Sequence, residues 1–405
     1  LFPFEKNFFF AAPIWTSSPQ IIFLKYLNVY DFYFFNLLIM FSISFYGLLL
    51  FKKKYQLSFL NFLFIYFIFN FNGHIISYLS VYGQAQLGYF LLPHFFYYFL
   101  IIFEKHSDYF KFRSSLFLGL TLWLVLLQGT LHLYVQLILF TFIFLIFNYK
   151  LYKFIFVSLI ISFLLSIHRL LPAYILNSSS TNYRNVSGFA DVGQFINALT
   201  ELRTPYEYFN FEGWHEYNYY ISFNALLIIT IFGFFVYLIP RKEFFYKLNI
   251  YKVLPIFVFS MFCFRNIYDL IPRYTPLFNI ESLTARFFII PLILITLIAS
   301  INIEKYFNLF KDVSLKRKIK IVFGINLLVV IICILNHLRV WRLQRLDYES
   351  EILGKTNDTF EVNFQEVEKL DLYSQSVIYS NLFSLIIFIL FIFLIFKLKI
   401  FLKNK

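Results

Sequence analysis

Six of the seven histidines, His74, His94, His132, His168, His215 and His337, fall in the joining segments on one side of the apolar runs or toward the run ends on that side. The seventh, His106, lies in a basic stretch. An imidazole donates or accepts hydrogen bonds and moves protons near neutral pH. Two of these histidines belong to polar, glycine-bearing bends. The first bend runs Asn72-Gly73-His74, then Ser77-Tyr78, then Gly83-Gln84-Ala85-Gln86-Leu87-Gly88-Tyr89 and Leu92-Pro93-His94. The second is Gln128-Gly129-Thr130-Leu131-His132-Leu133-Tyr134-Val135-Gln136. Either alone reads equally well as a hairpin between helices. Together they predict one shared polar cavity, because non-helical backbone at membrane depth persists where it lines protein or water.

Two arginines stand at the ends of apolar runs. His168-Arg169 precedes Leu171-Pro172, and Thr284-Ala285-Arg286 opens the run from Phe287 to Ile303. A guanidinium fork suits a phosphate better than an ammonium does, although an arginine there also snorkels to the interface. Arg184, Arg265 and Arg273 are weaker candidates of the same kind. Of the carboxylates Glu5, Asp191, Glu201, Glu207, Glu212, Glu216, Asp269 and Glu281, most read as solvated surface charges. Asp269 and Glu281 share a short loop near an apolar run, where partial desolvation would tune them. No HExxH, Walker, nucleophile-elbow or Rossmann pattern occurs.

The elements that must position these groups are apolar helices. Hydrophobic residues make up 60% of the 405, above the soluble norm of about half. Eleven runs, at approximately 31–51, 57–76, 87–103, 115–131, 133–148, 154–171, 221–240, 253–268, 284–303, 321–338 and 377–396, approach the length that crosses about 30 Å of hydrocarbon. The expected fold is therefore an all-α, polytopic integral membrane bundle of about eleven transmembrane helices. Phe (61) and Tyr (31) are read as lipid-facing and core residues, not as a cofactor box. Cys263 and Cys333 imply neither a disulfide framework nor a cysteine zinc site.

Charge orients the bundle. The segments at 52–54, 105–113, 150–153, 241–252, 305–320 and 397–405, counted with the adjoining Glu104 and Glu304, hold 22 basic residues against five acids, while the rest of the chain nets −4. Lysine and arginine in short loops stay cytoplasmic. The N-terminus is then outside and the C-terminus inside, and an odd span count with an outside start implies one helix upstream. Scattered basic clusters between spans disfavour nucleic acid as a partner. The chain divides into 1–30, the rest of an external loop with an interfacial helix after Ser17-Ser18-Pro19; 31–338, the bundle, with external loops 172–220 and 269–283; 339–376, a charged external excursion; and 377–405, a last span and basic tail. In the first of those loops Asp191-Val-Gly-Gln194 resembles a capping box before an amphipathic helix at 195–202.

The order of these features resembles the polytopic, lipid-sugar-dependent glycosyltransferases of the GT-C superfamily. The residues carrying the likeness are Ala12–Gln20, Asn72-Gly73-His74, Gly83–Pro93, Gln128–Gln136, Leu171-Pro172 before a serine-rich loop, and Thr284-Ala285-Arg286-Phe287. The resemblance implies an outward-facing cavity that takes a sugar from a polyprenyl-phosphate carrier. It also implies a first-loop carboxylate acting as base or binding a divalent cation. This chain begins within that loop, where Glu5 is the only acid before Asp31. The resemblance assigns Arg286 to the carrier phosphate and His74 to cavity hydrogen bonding. His132, His168, Arg169 and Gln86 complete the expected substrate-binding set. The expected place is the inner membrane of a prokaryotic cell.

Three other readings compete. A lipid-linked polysaccharide polymerase or ligase would gather Arg and His in a late external loop, as Arg339, Arg342 and Arg345 do weakly. A transporter would bury ionisable groups at mid-span, yet the span centres are almost uncharged. A non-catalytic scaffold would lack the first-loop acid.

Overall fold

The computed structural model describes residues 18–80, 84–104, 107–177, 187–204, 214–234, 250–268, 283–310, 312–355, 375 and 378–393. Glu5 and most of 1–30 lie outside these, as do Arg184, Glu207, Glu212, Asp269, Arg273, Glu281 and the stretch 356–374. The described residues are helical, apart from connecting segments and two isolated bridges, Ser187 to Leu283 and Phe189 to Phe264.

Helix α1 (Val29–Tyr55) starts at Asn28, whose side chain accepts from the Asp31 N–H at 2.9 Å. It ends at Gln56 in the left-handed region (φ 52°), with Lys52, Lys53 and Lys54 in the negative last turn. Helices α2 (Phe59–Phe71) and α3 (Gly73–Ser80) follow, parted only by Asn72. A 3₁₀ stretch, Gln84–Leu91, leads into α4 (Leu92–Phe103). Next come α5 (Asp108–Leu127), α6 (Leu131–Phe147) and α7 (Tyr152–Asn177).

A short α8 (Val192–Thr200) precedes α9 (Phe223–Gly233), α10 (Ile250–Met261) and the single turn α11 (Arg265–Tyr268). The chain then forms α12 (Ile289–Leu309), the long α13 (Val313–Lys355) and α14 (Ile378–Phe393). Asp191 caps α8 by accepting from the Gln194 N–H at 2.8 Å, and the Gln194 side chain returns to the Ala190 N–H at 2.7 Å. This is the anticipated box, closed one residue early. Pro19 opens a 3₁₀ turn, Pro19–Lys25, but Ser18 makes no side-chain cap bond there.

A helix lies within the described part of each of the eleven apolar runs. Six helical stretches among the described residues are long and apolar enough to cross a membrane: Asp31–Tyr55, Phe59–Ser80, Asp108–Leu127, Tyr149–Pro172, Thr284–Leu309 and Val313–Trp341. Leu87–Phe103, Leu131–Phe147, Phe223–Gly233 and Ile378–Phe393 are shorter. A helix of about 17 residues reaches only about 26 Å, short of a 30 Å hydrocarbon layer unless that layer thins. The run at 321–338 does not end where the charges begin. Helix α13 continues unbroken to Lys355, so the first part of the expected excursion is helix.

Helix α12 is the hub, with the whole of its apolar window buried, as expected of a helix hydrophobic all round. It packs against α2, α9, α10 and α13, while α4 and α7 flank α5. Peripheral helices keep apolar stripes outward, including Phe34 and Leu38 on α1, Ile160 and Phe163 on α7, and Ile325, Leu328 and Ile332 on α13. Such surface suits lipid and would be costly in water.

Glycine contacts fix two close approaches. A Cβ at Gly73 would overlap the Asn218 side chain and the Tyr220 backbone, and one at Gly88 would overlap Thr130. At Gly324 it would meet Leu60 at an ordinary 3.8 Å. Gly73→Ala should therefore destabilise the protein by about 1–3 kcal/mol, while Gly324→Ala leaves it unchanged or slightly stabilised. Thermal unfolding of both variants in one detergent checks the contrast.

Candidate functional site

The site is built where α2 breaks into α3. Asn72 holds the break: its Nδ2 lies within hydrogen-bond distance of Ile68 O (2.9 Å), Phe69 O (3.0 Å) and the Tyr89 hydroxyl (2.9 Å). Its Oδ1 accepts from the Ile75 N–H at 3.3 Å. One side chain thus satisfies orphan groups of two helix ends. Tyr89 donates to Phe69 O at 2.6 Å and stacks on the Phe69 ring at 4.6 Å. His74 is thereby set in the first turn of α3, facing inward and 2% exposed.

The second bend packs on the first. Gly129 takes φ 85°, a left-handed turn that favours glycine. Thr130 Oγ1 accepts the Gly88 N–H at 2.9 Å. His132 and Gln136, one turn apart on α6, then face the same space as His74.

A strut formed by residues 214–221 closes the end of the bundle. It starts as a 3₁₀ turn, Trp214–Tyr217. Its backbone then bonds three neighbours: the Tyr219 N–H donates to Ala198 O (3.2 Å), the Ile221 N–H to Leu199 O (3.0 Å), and Tyr220 O accepts from the Gly73 N–H (2.8 Å). The Tyr219 ring stacks on His74 at 5.0 Å, and its hydroxyl donates to Ala285 O at 2.7 Å. Burial pushes the Tyr219 phenol well above its ordinary range, which keeps that donor protonated. Asn218 donates to His337 Nε2 at 2.9 Å, and Tyr220 stacks on the same imidazole at 4.8 Å.

The strut also carries Glu216, buried to 1% exposure. Its two carboxylate oxygens accept from Nε and Nη2 of Arg286, a two-point fork. Arg286 sits in a 3₁₀ turn, Thr284–Phe288, anchored where the Thr284 N–H donates to Ser187 O at 2.7 Å. Glu216 is therefore not the solvated surface charge its sequence neighbourhood implies. Its partner lies 70 residues away, beyond the reach of any local pattern.

His74, Tyr89, His132, Leu133, Gln136, Arg286 and Ile289 line one small cavity. Its volume is about 10 Å³, the space of roughly one water. Two imidazoles, a carboxamide and a carboxylate-paired guanidinium thus converge at one end of the bundle. Such a set offers several directed hydrogen-bond donors, while the charge of Arg286 is balanced by Glu216.

His168 and Arg169 are not among the lining residues. His168 Nδ1 approaches Leu165 O at 2.7 Å and the Ser384 hydroxyl at 3.2 Å, joining α7 to α14. Arg169 is buried and donates to Leu126 O at 2.6 Å, capping the last turn of α5. His94 bonds Ile43 O at 3.0 Å, and Arg265 is exposed. The side chain of Gln86 lies outside the described residues. Tyr89 and Gln136 stand in the two glycine-bearing bends, where nothing local sets them apart from their neighbours. Among the described residues no three His, Cys, Asp or Glu side chains group as a metal set.

The cavity lies at the end of the bundle opposite the basic clusters. At that other end Lys54 pairs with Glu104 at 2.8 Å, Ser58 donates its N–H to Glu304 at 2.6 Å, and Lys316 donates to Asn308 at 2.9 Å. Leu60 and His74, 14 positions apart along α2 and α3, are separated by about 21 Å of helical rise.

Comparison of the chain with protein-family models, with curated proteins and with solved structures finds no match to any of them.

Removing one member of a buried charge pair strands the other. Glu216→Ala should cost about 3–5 kcal/mol, and Glu216→Ala/Arg286→Ala together should cost less than the sum of the single changes. A double-mutant cycle from thermal unfolding in detergent reads this coupling.

Proposed function

We propose that this chain is a membrane glycosyltransferase of the GT-C kind, moving a sugar from a polyprenyl-phosphate carrier to an acceptor at the outer face of the membrane. The observation that carries the reading is the convergence of His74, His132, Gln136 and Arg286 on one cavity, at the end of the bundle remote from the lysine clusters. The full topology proposed with it has about eleven spans, the N-terminus outside and the C-terminus in the cytoplasm, in a prokaryotic inner membrane.

In the reaction, the acceptor hydroxyl attacks the anomeric carbon, its proton leaves to a base, and the bond from that carbon to the phosphate oxygen breaks. Negative charge grows on the departing polyprenyl phosphate, and a fixed cation there lowers the barrier. Arg286 is the group assigned to it. His74, His132 and Gln136 supply hydrogen bonds that orient the phosphate or the sugar. The apolar walls from Leu133 and Ile289 suit the first carrier isoprenes. Because the cavity holds about one water, this conformation is the closed one, and the carrier enters only when the strut and neighbouring turn move apart. Glu216 then neutralises Arg286 until a phosphate replaces it.

Polyprenyl phosphate is common to every sugar donor of this class, so its binding tests the reading without knowledge of the sugar. The full chain in detergent should bind polyprenyl phosphate saturably, and Glu216→Ala/Arg286→Ala, which removes both charges, should weaken binding on the order of a hundredfold. Arg286→Lys should recover only part of it, since the fork is lost. Calorimetry or intrinsic fluorescence reads all three proteins. Unchanged affinity in the double variant removes the Arg286 assignment; no saturable binding by the unaltered chain removes the carrier.

A further inference from the structure

A second cavity lies at the opposite end of the bundle, between the start of α2 and the start of α13. It has a volume of about 470 Å³, within the range of small-ligand sites. Leu60, Ile321 and Gly324 form its apolar part, and Lys316, Arg317 and Lys320 its rim. Lys316, Lys320 and Gly324 are spaced by four, so they lie on one face of α13.

Three features identify an occupant. First, the rim is cationic: among the described residues no carboxylate pairs with Lys316, Arg317 or Lys320. Lys316 donates to the Asn308 carboxamide at 2.9 Å, and Lys320 lies over the Phe307 ring at 5.6 Å. Asp312, the nearest acid in sequence, accepts from the Ser314 N–H at 2.8 Å. Second, the groove continues into an exposed apolar stripe, with Ile321 53%, Ile325 59%, Leu328 57% and Ile332 57% exposed. Third, cations and stripe meet where α13 passes from charged to apolar sequence, the depth at which an amphiphile carries its head group.

We propose that this groove binds one anionic glycerophospholipid, its phosphate on Lys316, Arg317 and Lys320 and an acyl chain along α13. A free phosphate would use the cations but not the stripe, and a neutral lipid would use the stripe but not the cations. The missing Cβ at Gly324 gives the chain its passage beside Leu60. The inference requires only that these helices sit in a bilayer, and it stands apart from the sugar-transfer reading.

The full chain, reconstituted in phosphatidylcholine bilayers, is probed with spin-labelled phosphatidylglycerol and, separately, spin-labelled phosphatidylcholine. The motionally restricted spectral component gives relative association. Phosphatidylglycerol should be preferred, and the preference should fall on the order of tenfold or more in Lys316→Gln/Arg317→Gln/Lys320→Gln. Gly324→Leu, which fills the groove and keeps every charge, should also abolish it. Helix content by circular dichroism confirms that both variants fold. Equal association of the two probes with the unaltered chain overturns the proposal, as does a preference that survives the triple substitution. A preference retained in Gly324→Leu assigns it to surface charge and rejects the groove. Loss of the preference on adding inorganic phosphate at constant ionic strength would mark an ion site and reject the lipid.

Discussion

Much of the structure at the cavity end depends on one buried ion pair. Glu216 and Arg286 are brought together from segments 70 residues apart, and neither charge is tolerable there alone. The pair holds the strut against the turn that opens the central helix. The strut in turn supplies Tyr219 to stack on His74, Asn218 to fix His337, and a carbonyl for Gly73. Pairs of this sort rarely add much net stability over an apolar substitute. What this one adds is placement: the fork geometry admits one orientation of the strut.

The two ends of the bundle contrast in how charge is handled. At the cavity end, the Glu216–Arg286 charges are internal and paired, close to the Tyr219 ring. At the other, lysines crowd helix ends, lie over rings, and leave a cationic rim beside open groove. Helix α2 touches both regions, with Leu60 near one end and the Asn72 break at the other. The break is economical, since a single asparagine satisfies backbone groups on both sides and the chain changes direction without exposing polar backbone to the apolar layer.

The bends were legible in sequence because their residue types answer local needs. Gly129 must adopt a left-handed turn, Gly73 and Gly88 must admit a neighbouring backbone or side chain, and Asn72 suits a helix junction. Apolar runs announced the helices. What local pattern could not carry was partnership. Glu216 sits among other acids and a tryptophan, and nothing nearby reveals that it is buried against an arginine in another loop. Arg169 and Arg286 look alike at the ends of their runs, yet one caps a neighbouring helix and the other faces the cavity. Likewise α12 and α13 are similarly apolar, and only packing decides that the first is enclosed and the second faces outward. Helix α13 continues past its apolar run because the charged residues there are also good helix formers.

Helix α13 carries no proline, and it runs from the cationic rim past His337 without interruption. Val313 and His337, 24 positions apart, are separated by about 36 Å of helical rise. A continuous helix of that length resists compression along its axis, since every turn is braced by its own hydrogen bonds. It therefore joins the cationic rim to the His337 end of the bundle as one continuous element. A shift of one end by a fraction of a turn would be delivered to the imidazole that Asn218 and Tyr220 grip, with no relay of intervening side chains.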